Sequence, residues 1–127
     1  VKFREWFRPF APICKEEKAS IYFNTSENAC YKYMSFSPNV RDDYQTTLPA
    51  VTHIDGSSRL QTISKTENEF IYNILDEFEN ITGVPVLINT SFNSRGKSIL
   101  THYQTAIQIL DSTQLDSVIL GDYYIYK

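Results

Sequence analysis

Val84-Pro85-Val86-Leu87-Ile88-Asn89-Thr90-Ser91-Phe92-Asn93-Ser94-Arg95-Gly96 is an apolar run that empties into amides, hydroxyls, a cation and a glycine. Open α/β sheets commonly present ligands where a buried strand ends in a polar loop, so Asn89, Thr90, Ser91, Asn93 and Arg95 read as an anion-binding corner. Asn, Ser and Gly are also the ordinary residues of tight turns, and the stretch by itself equally allows a plain strand-to-strand connection.

The flanking segments set this corner in a fold. Upstream, Phe70, Ile71, Ile74, Leu75, Phe78 and Ile81 recur at helical spacing and Gly83 stands where a C-cap belongs, which predicts a helix over 67–82 with its apolar stripe in the core. Downstream, Thr101-His102-Tyr103-Gln104 has the spacing of a capping box, with Thr101 as N-cap and Ala106, Ile107 and Leu110 facing inward. Val118 to Leu120 and Tyr123 to Tyr126 read as strands split by Gly121-Asp122. Earlier in the chain come a strand near Ile13, a short helix over 16–23, a polar loop over 25–33 and a strand over 34–40. A mobile connection over 41–47 follows, then a strand, a glycine turn and a second strand over 49–63. Strands alternating with helices predict an α/β or α+β sheet covered by two main helices.

At 127 residues the chain has material for one domain with a single core. Nine Tyr and eight Phe with only four Gly and five Pro exclude a disordered or low-complexity chain. The net charge of -3 argues against a surface built to hold a nucleic-acid backbone, and no nucleic-acid partner is expected. No apolar run approaches the ~20 residues of a membrane span and no signal peptide opens the sequence, so no membrane partner and a cytoplasmic location are expected. Cys14 and Cys30 lack the spacing of a zinc site or a disulfide framework and read as free thiols.

Charge is unevenly spread. Lys2, Arg4, Arg8, Lys15 and Lys18 crowd the amino-terminal segment, whereas Glu67, Glu69, Asp76, Glu77 and Glu79 carry no cation among them and read as the wet face of a helix. Pro9 and Pro12 forbid a helix through Arg8 to Pro12. If the first residues are extended, Lys2, Arg4 and Arg8 share one face, as a phosphate-binding rank or as an edge strand ion-paired to the acidic helix. If residues 1–7 are helical, Phe3, Phe7 and Phe10 align instead. His53 and Asp55 are two apart, which on a strand projects both from one face; such a pair could orient a water or hold a metal, and equally could be a hydrogen-bonded turn. Arg59, just past a hydroxyl-rich bend, suits bidentate recognition of phosphate or carboxylate.

Read together, three stretches resemble the C-terminal region of the carbamoyltransferases that make nodulation factors and carbamoylated antibiotics. They are Lys2-Phe3-Arg4-Glu5-Trp6-Phe7-Arg8-Pro9-Phe10-Ala11-Pro12, Pro49-Ala50-Val51-Thr52-His53-Ile54-Asp55-Gly56, and Thr82 through Gly96; Leu120-Gly121-Asp122 fits as well. The resemblance implies a YrdC-like fold, a twisted open mixed sheet whose signature pairs a Lys-x-Arg, here Lys2-Phe3-Arg4, with a Ser-x-Asn, here Ser91-Phe92-Asn93. It further implies that carbamoyl phosphate and ATP, with Mg2+, give a carbamoyl-adenylate and pyrophosphate. A preceding actin-like ATPase-fold domain, which in relatives carries the metal site, would then pass the carbamoyl group to an acceptor hydroxyl. On this resemblance Lys2, Arg59 and His53 are the expected catalytic residues. Lys2, Arg4, Arg8, Arg59, Asn89, Thr90, Ser91, Asn93 and Arg95 are expected to bind substrate and nucleotide. No residue is assigned to a permanent metal, although Asp55 or Asp122 could meet Mg2+. Family motifs that lie upstream of the Lys-x-Arg, a Gly-Pro-Arg-type segment among them, are not in this sequence. Residues 1–127 are therefore expected to be an N-terminally truncated carbamoyltransferase C-terminal domain, a partial domain whose alternative role is a non-catalytic module that binds nucleotide or phosphate or docks another domain.

Overall fold

The computed structural model describes residues 7–94 and 96–127. They form two compact units, one holding the described residues up to Thr90 and the other Ser91–Lys127. Helices and strands are mixed in both, as the alternating sequence pattern predicts. Lys2, Arg4 and Arg95 lie outside the described residues, as does the choice between strand and helix for the first segment.

In the first unit, β1 (Ala11–Lys15) is the central strand of a mixed sheet, parallel to β2 (Gln61–Ile63) and antiparallel to β3 (Val86–Asn89). Between β1 and β2 the chain makes a 3-10 turn, the short helix α1 (Ala19–Tyr22), and a long irregular excursion. The core fills with Cys14, Tyr22, Phe23, Val40, Leu60 and Val86, together with Tyr31, Leu48 and Val51. Both cysteines are free. Burial, with the negative charges of Glu17 and Glu79 behind it, pushes the Cys14 thiol up to about 12, which makes it a packing residue and not a nucleophile.

Three sequence expectations change here. Residues 34–40 do not form a strand; Asn39 and Val40 make isolated bridges to Ser57 and Phe23, because Pro38 and the left-handed Met34 (φ 56°) interrupt an extended run. Residues 49–51 are a 3-10 turn and not a strand, so only the second of the two strands expected over 49–63 exists. The connection over 41–47, expected to be mobile, is instead bonded along its length. Tyr44 and Gln45 donate to Arg41 and Asp42, and Thr47 and Leu48 both donate to the Tyr44 carbonyl.

Helix α2 (Glu69–Thr82) packs against β1 and β3 and ends as its sequence dictates. The Asn68 side chain accepts from the Ile71 N–H at 3.0 Å, and Gly83 closes the helix in the left-handed region (φ 78°) with its N–H on the Glu79 carbonyl. Of the predicted stripe only Leu75 is fully buried, whereas Phe70 and Ile81 are exposed. Asn68→Ala removes an N-cap and is expected to lower stability by about 1 kcal/mol, read as a shift of the denaturant midpoint at constant slope.

The acidic run is not simply a wet face. Lys15, 3% exposed at the end of β1, places its ammonium 2.7 Å from Asp76 Oδ1 and 2.5 Å from Glu79 Oε2. Lys18 reaches Glu79 (3.0 Å), Lys32 reaches Glu67 (2.7 Å), and the Lys15 charge also lies 5.5 Å from the centre of the Tyr72 ring. The Lys15 pairs strap α2 across β1, while Lys18 and Lys32 tie flanking segments to the same acidic run.

The second unit consists of α3 (Tyr103–Ser112) against the hairpin of β4 (Ser117–Leu120) and β5 (Tyr123–Tyr126), with Ala106, Ile109 and Leu110 as its buried residues. Gly121, at φ 60° in a two-residue turn, is the reason the predicted strands join so tightly. The N-cap of α3 is His102 and not Thr101, and no side chain caps it. Ile109, not Ile107, takes the innermost position beside Leu110. Among the described residues no helix is long and apolar enough to cross a membrane.

Candidate functional site

Strand polarity gathers several of the expected residues at one end of the three-stranded sheet. The antiparallel register opposes Ala11 with Asn89, so the chain enters β1 from Arg8 where β3 leaves into Thr90. The parallel register opposes Ile13 with Gln61, so the amino end of β2, two residues beyond Arg59, lies at the same end. The Phe10 N–H donates to the Ala50 carbonyl at 3.0 Å, which ties the segment leading to His53 to this end as well. Arg8, Arg59, Asn89 and Thr90 thus share the amino end of β1 and β2 with the carboxyl end of β3.

Hydrogen bonds fix the floor of this end. The Asn89 amide donates to Gln61 Oε1 across β1, and the Gln61 amide donates to the Lys32 carbonyl at 3.0 Å. Gln61 is a positioning residue that the sequence did not single out; its place opposite a strand-end Asn depends on register. Arg59 is exposed, with Nε on the Met34 carbonyl at 3.4 Å, and carries no ion pair among the described residues. Its outward-facing guanidinium is available to an anion. Arg8 is exposed and has partners.

His53 and Asp55 do not form the strand pair that their spacing allows. His53 opens a turn whose carbonyl accepts from Gly56 N–H at 2.9 Å, with Gly56 at φ 79°. Asp55 turns its carboxylate onto Ser57, accepting from the hydroxyl at 2.7 Å and from the N–H at 3.0 Å. Those two donors hold the Asp55 carboxyl below its ordinary range, with a smaller contribution from His53. The His53 imidazole is therefore carried by a rigid turn and not by its carboxylate neighbour.

In the second unit the Ser-x-Asn stretch forms a bonded relay. The Ser91 hydroxyl donates to Asn93 Oδ1 (2.8 Å), and Asn93 Nδ2 donates to the Lys97 carbonyl (2.7 Å). Lys97 N–H closes on the Ser94 carbonyl (3.1 Å) around Gly96 at φ 72°, and Leu100 N–H returns to the Phe92 carbonyl (3.1 Å). Such a loop holds its polar groups in fixed directions, as an anion cradle requires.

The described residues do not by themselves assemble a Mg2+ cage. Among the described residues no three His, Cys, Asp or Glu side chains converge, Asp55 is engaged by Ser57, and Asp122 stands exposed in the β4–β5 turn. A divalent ion that arrived with a nucleotide would be held mainly by the phosphates.

Comparison with known proteins agrees over the full length. The family described as carbamoyltransferase C-terminus matches residues 1–127. The chain is similar to nodulation protein NolNO of Sinorhizobium fredii, 39% identical over 128 residues that cover 100% of this chain and 19% of that protein. It is similar to nodulation protein U of Rhizobium tropici, 46% identical over 97 residues, 76% of this chain and 16% of that protein. A Synechocystis protein without a functional name is 33% identical over 147 residues, covering 100% of this chain and 24% of that protein. The chain spans about a fifth of the length of these relatives.

Proposed function

We propose, since the chain belongs to the carbamoyltransferase C-terminal family, that it serves ATP-dependent carbamoyl transfer by forming a carbamoyl-adenylate from carbamoyl phosphate and ATP. Water cleaves carbamoyl phosphate to carbamate and inorganic phosphate. A carbamate oxygen then attacks the α-phosphorus of ATP, and the bond to pyrophosphate breaks as the new one forms. An actin-like ATPase-fold domain elsewhere in the full-length protein receives the activated carbamoyl group and passes it to an acceptor hydroxyl. Mg2+ travels with the nucleotide.

The observation that carries this reading is the shared sheet end, where strand direction brings Arg8, Arg59, Asn89 and Thr90 together. Charge moves onto the pyrophosphate as the reaction proceeds, and guanidinium groups fixed beside it lower that barrier. Arg59 suits this role because its planar fork projects into solvent from a backbone anchor. Lys2, Arg4 and Arg95 are assigned to the same task from the family pattern. Asn93, through the second N–H of its amide, and Ser91, by turning its hydroxyl from Asn93 to the ligand, hold phosphate oxygens, and His53 orients carbamoyl phosphate.

The test is isotope exchange between pyrophosphate and ATP in the full-length protein, with and without carbamoyl phosphate. Exchange that depends on carbamoyl phosphate is the expected result. ATP binding with no exchange would make this chain a non-catalytic nucleotide module. Arg59→Ala is expected to weaken ATP or carbamoyl phosphate by about tenfold, the cost of one charge-assisted hydrogen bond; wild-type constants for both ligands would remove Arg59 from the site.

A further inference from the structure

The side-chain amides of Gln61 and Asn89 meet across β1, and the bonding around them fixes which way each one faces. Gln61 Nε2 donates to the Lys32 carbonyl at 3.0 Å, and a carbonyl oxygen can only accept. Gln61 must therefore turn Oε1 toward Asn89, and Asn89 must answer with Nδ2. The anchor is itself held: Thr62 N–H donates to the Tyr31 carbonyl at 3.3 Å, and the Lys32 ammonium pairs with Glu67 at 2.7 Å. Reversing either amide alone would set like groups against each other, at the cost of a lost hydrogen bond.

The consequence lies at the other corner of Asn89. With Nδ2 committed to Gln61, Oδ1 faces away from it. No described residue donates to that oxygen, and among the described residues no polar side-chain atom is both buried and unbonded, so Oδ1 reaches solvent at the sheet end. Of the residues gathered there, Arg8 and Arg59 can only donate and the Thr90 hydroxyl can do either, whereas Asn89 Oδ1 can only accept. Phosphate oxygens would be repelled by it. A carbamoyl amine suits it, because the nitrogen lone pair is delocalised into the carbonyl and the N–H groups only donate.

We propose that Asn89 reads the carbamoyl amine through Oδ1, and that Gln61 is the positioning residue that keeps this oxygen outward. The inference rests on the carbamoyl phosphate reading given above. It divides the substrate between partners at one sheet end, guanidinium for the anionic oxygens and Asn89 for the amine. Acetyl phosphate carries a methyl group where carbamoyl phosphate has its amine, at nearly the same size. It would follow the same two steps, cleavage by water to acetate and phosphate and then attack of an acetate oxygen on ATP, but would leave Oδ1 facing a group that cannot donate. A site that hydrogen-bonds an N–H rejects an analogue without it, and the half-buried position of Asn89 sets the effect at about tenfold.

Pyrophosphate exchange with ATP in the full-length protein, run with carbamoyl phosphate and with acetyl phosphate, gives the ratio of the two kcat/KM values. Wild type is expected to favour carbamoyl phosphate by about tenfold or more. Asn89→Ala is expected to remove most of that preference. Gln61→Leu, which leaves Asn89 in place but frees its amide to turn, is expected to remove part of it. No exchange with either compound in wild type removes the adenylation reading and this one together. Equal use of both by wild type leaves adenylation standing and overturns the Asn89 assignment, whatever the variants do. A preference that survives in Asn89→Ala, or in Gln61→Leu should Asn89→Ala not fold, overturns it too; if ATP affinity falls in the same variant, a ribose hydroxyl is what donates to Oδ1.

Discussion

Replacing Lys15 with Met is expected to lower stability by about 2–3 kcal/mol near neutral pH, the largest loss from any single surface or buried charge described here. Breaking a fully buried pair costs about 3–5 kcal/mol, and the lower figure applies because water reaches Asp76, which is 52% exposed. Methionine keeps the stem packed but leaves Asp76 and Glu79 facing each other without the ammonium between them. Burial alone would depress the Lys15 pKa, yet its hydrogen bonds to Asp76 and Glu79 outweigh burial and raise it above the usual lysine range. Both carboxyls are lowered from their ordinary values of 3.8 and 4.5 mainly by the hydrogen bond from Lys15, with Lys18 assisting at Glu79. The sign of the pH dependence follows. A raised lysine contributes stability that is complete below its ordinary pKa of 10.5 and is lost as pH climbs through the folded value. Lowered carboxyls contribute stability that is complete above their ordinary values and is lost as pH falls through the folded ones. Denaturant titrations of wild type and Lys15→Met should therefore differ most between about pH 5 and pH 10, begin to converge as pH falls below the ordinary carboxyl values, and meet only once pH has passed the lowered folded ones. A difference that stays constant as pH falls through the whole carboxyl range would mean that packing, not charge, holds α2 to β1.

Local signals survived the passage from sequence to structure better than long-range ones. Helix α2 was legible because Asn68, the 3.6-residue spacing and Gly83 act within the element itself. The β4–β5 hairpin was legible because a glycine with positive φ sits between two apolar runs. Lys15 was not, since a lysine closing Ala11-Pro12-Ile13-Cys14 looks like an ordinary strand end until the chain returns 61 residues later with Asp76. Of the two readings the His53 and Asp55 spacing left open, the structure takes the hydrogen-bonded turn, because a spacing of two means a shared face only on a strand and Gly56 makes this segment a turn. Phe70 and Ile81 kept helical spacing without burial, because spacing sets which way a side chain points and not what packs against it. For the site, residue types such as Arg59 and Asn89 were visible, whereas their common sheet end and the Gln61 support depend on strand order and register.

The Ser-x-Asn relay gives the largest expected effect on activity. Asn93 occupies its middle: Oδ1 receives the Ser91 proton and Nδ2 holds the Lys97 carbonyl, so one side chain sets both the hydroxyl and the backbone that continues around Gly96. Truncation to Ala releases both at once. The loop N–H groups and the Ser91 hydroxyl would then sample many directions, and their reorganisation would have to occur during the reaction instead of before it. Preorganised donors of this kind are worth about a hundredfold or more in turnover, so Asn93→Ala in the full-length protein is expected to slow carbamoyl-phosphate-dependent pyrophosphate exchange by about that factor. The cores of both units do not depend on Asn93, and thermal unfolding should remain close to wild type. Ser91→Ala, which removes one end of the relay while the Lys97 clamp persists, should cost less. Equal rates in wild type and Asn93→Ala would reduce this loop to a turn between units, and a large fall in thermal midpoint would assign the residue to folding and not to catalysis.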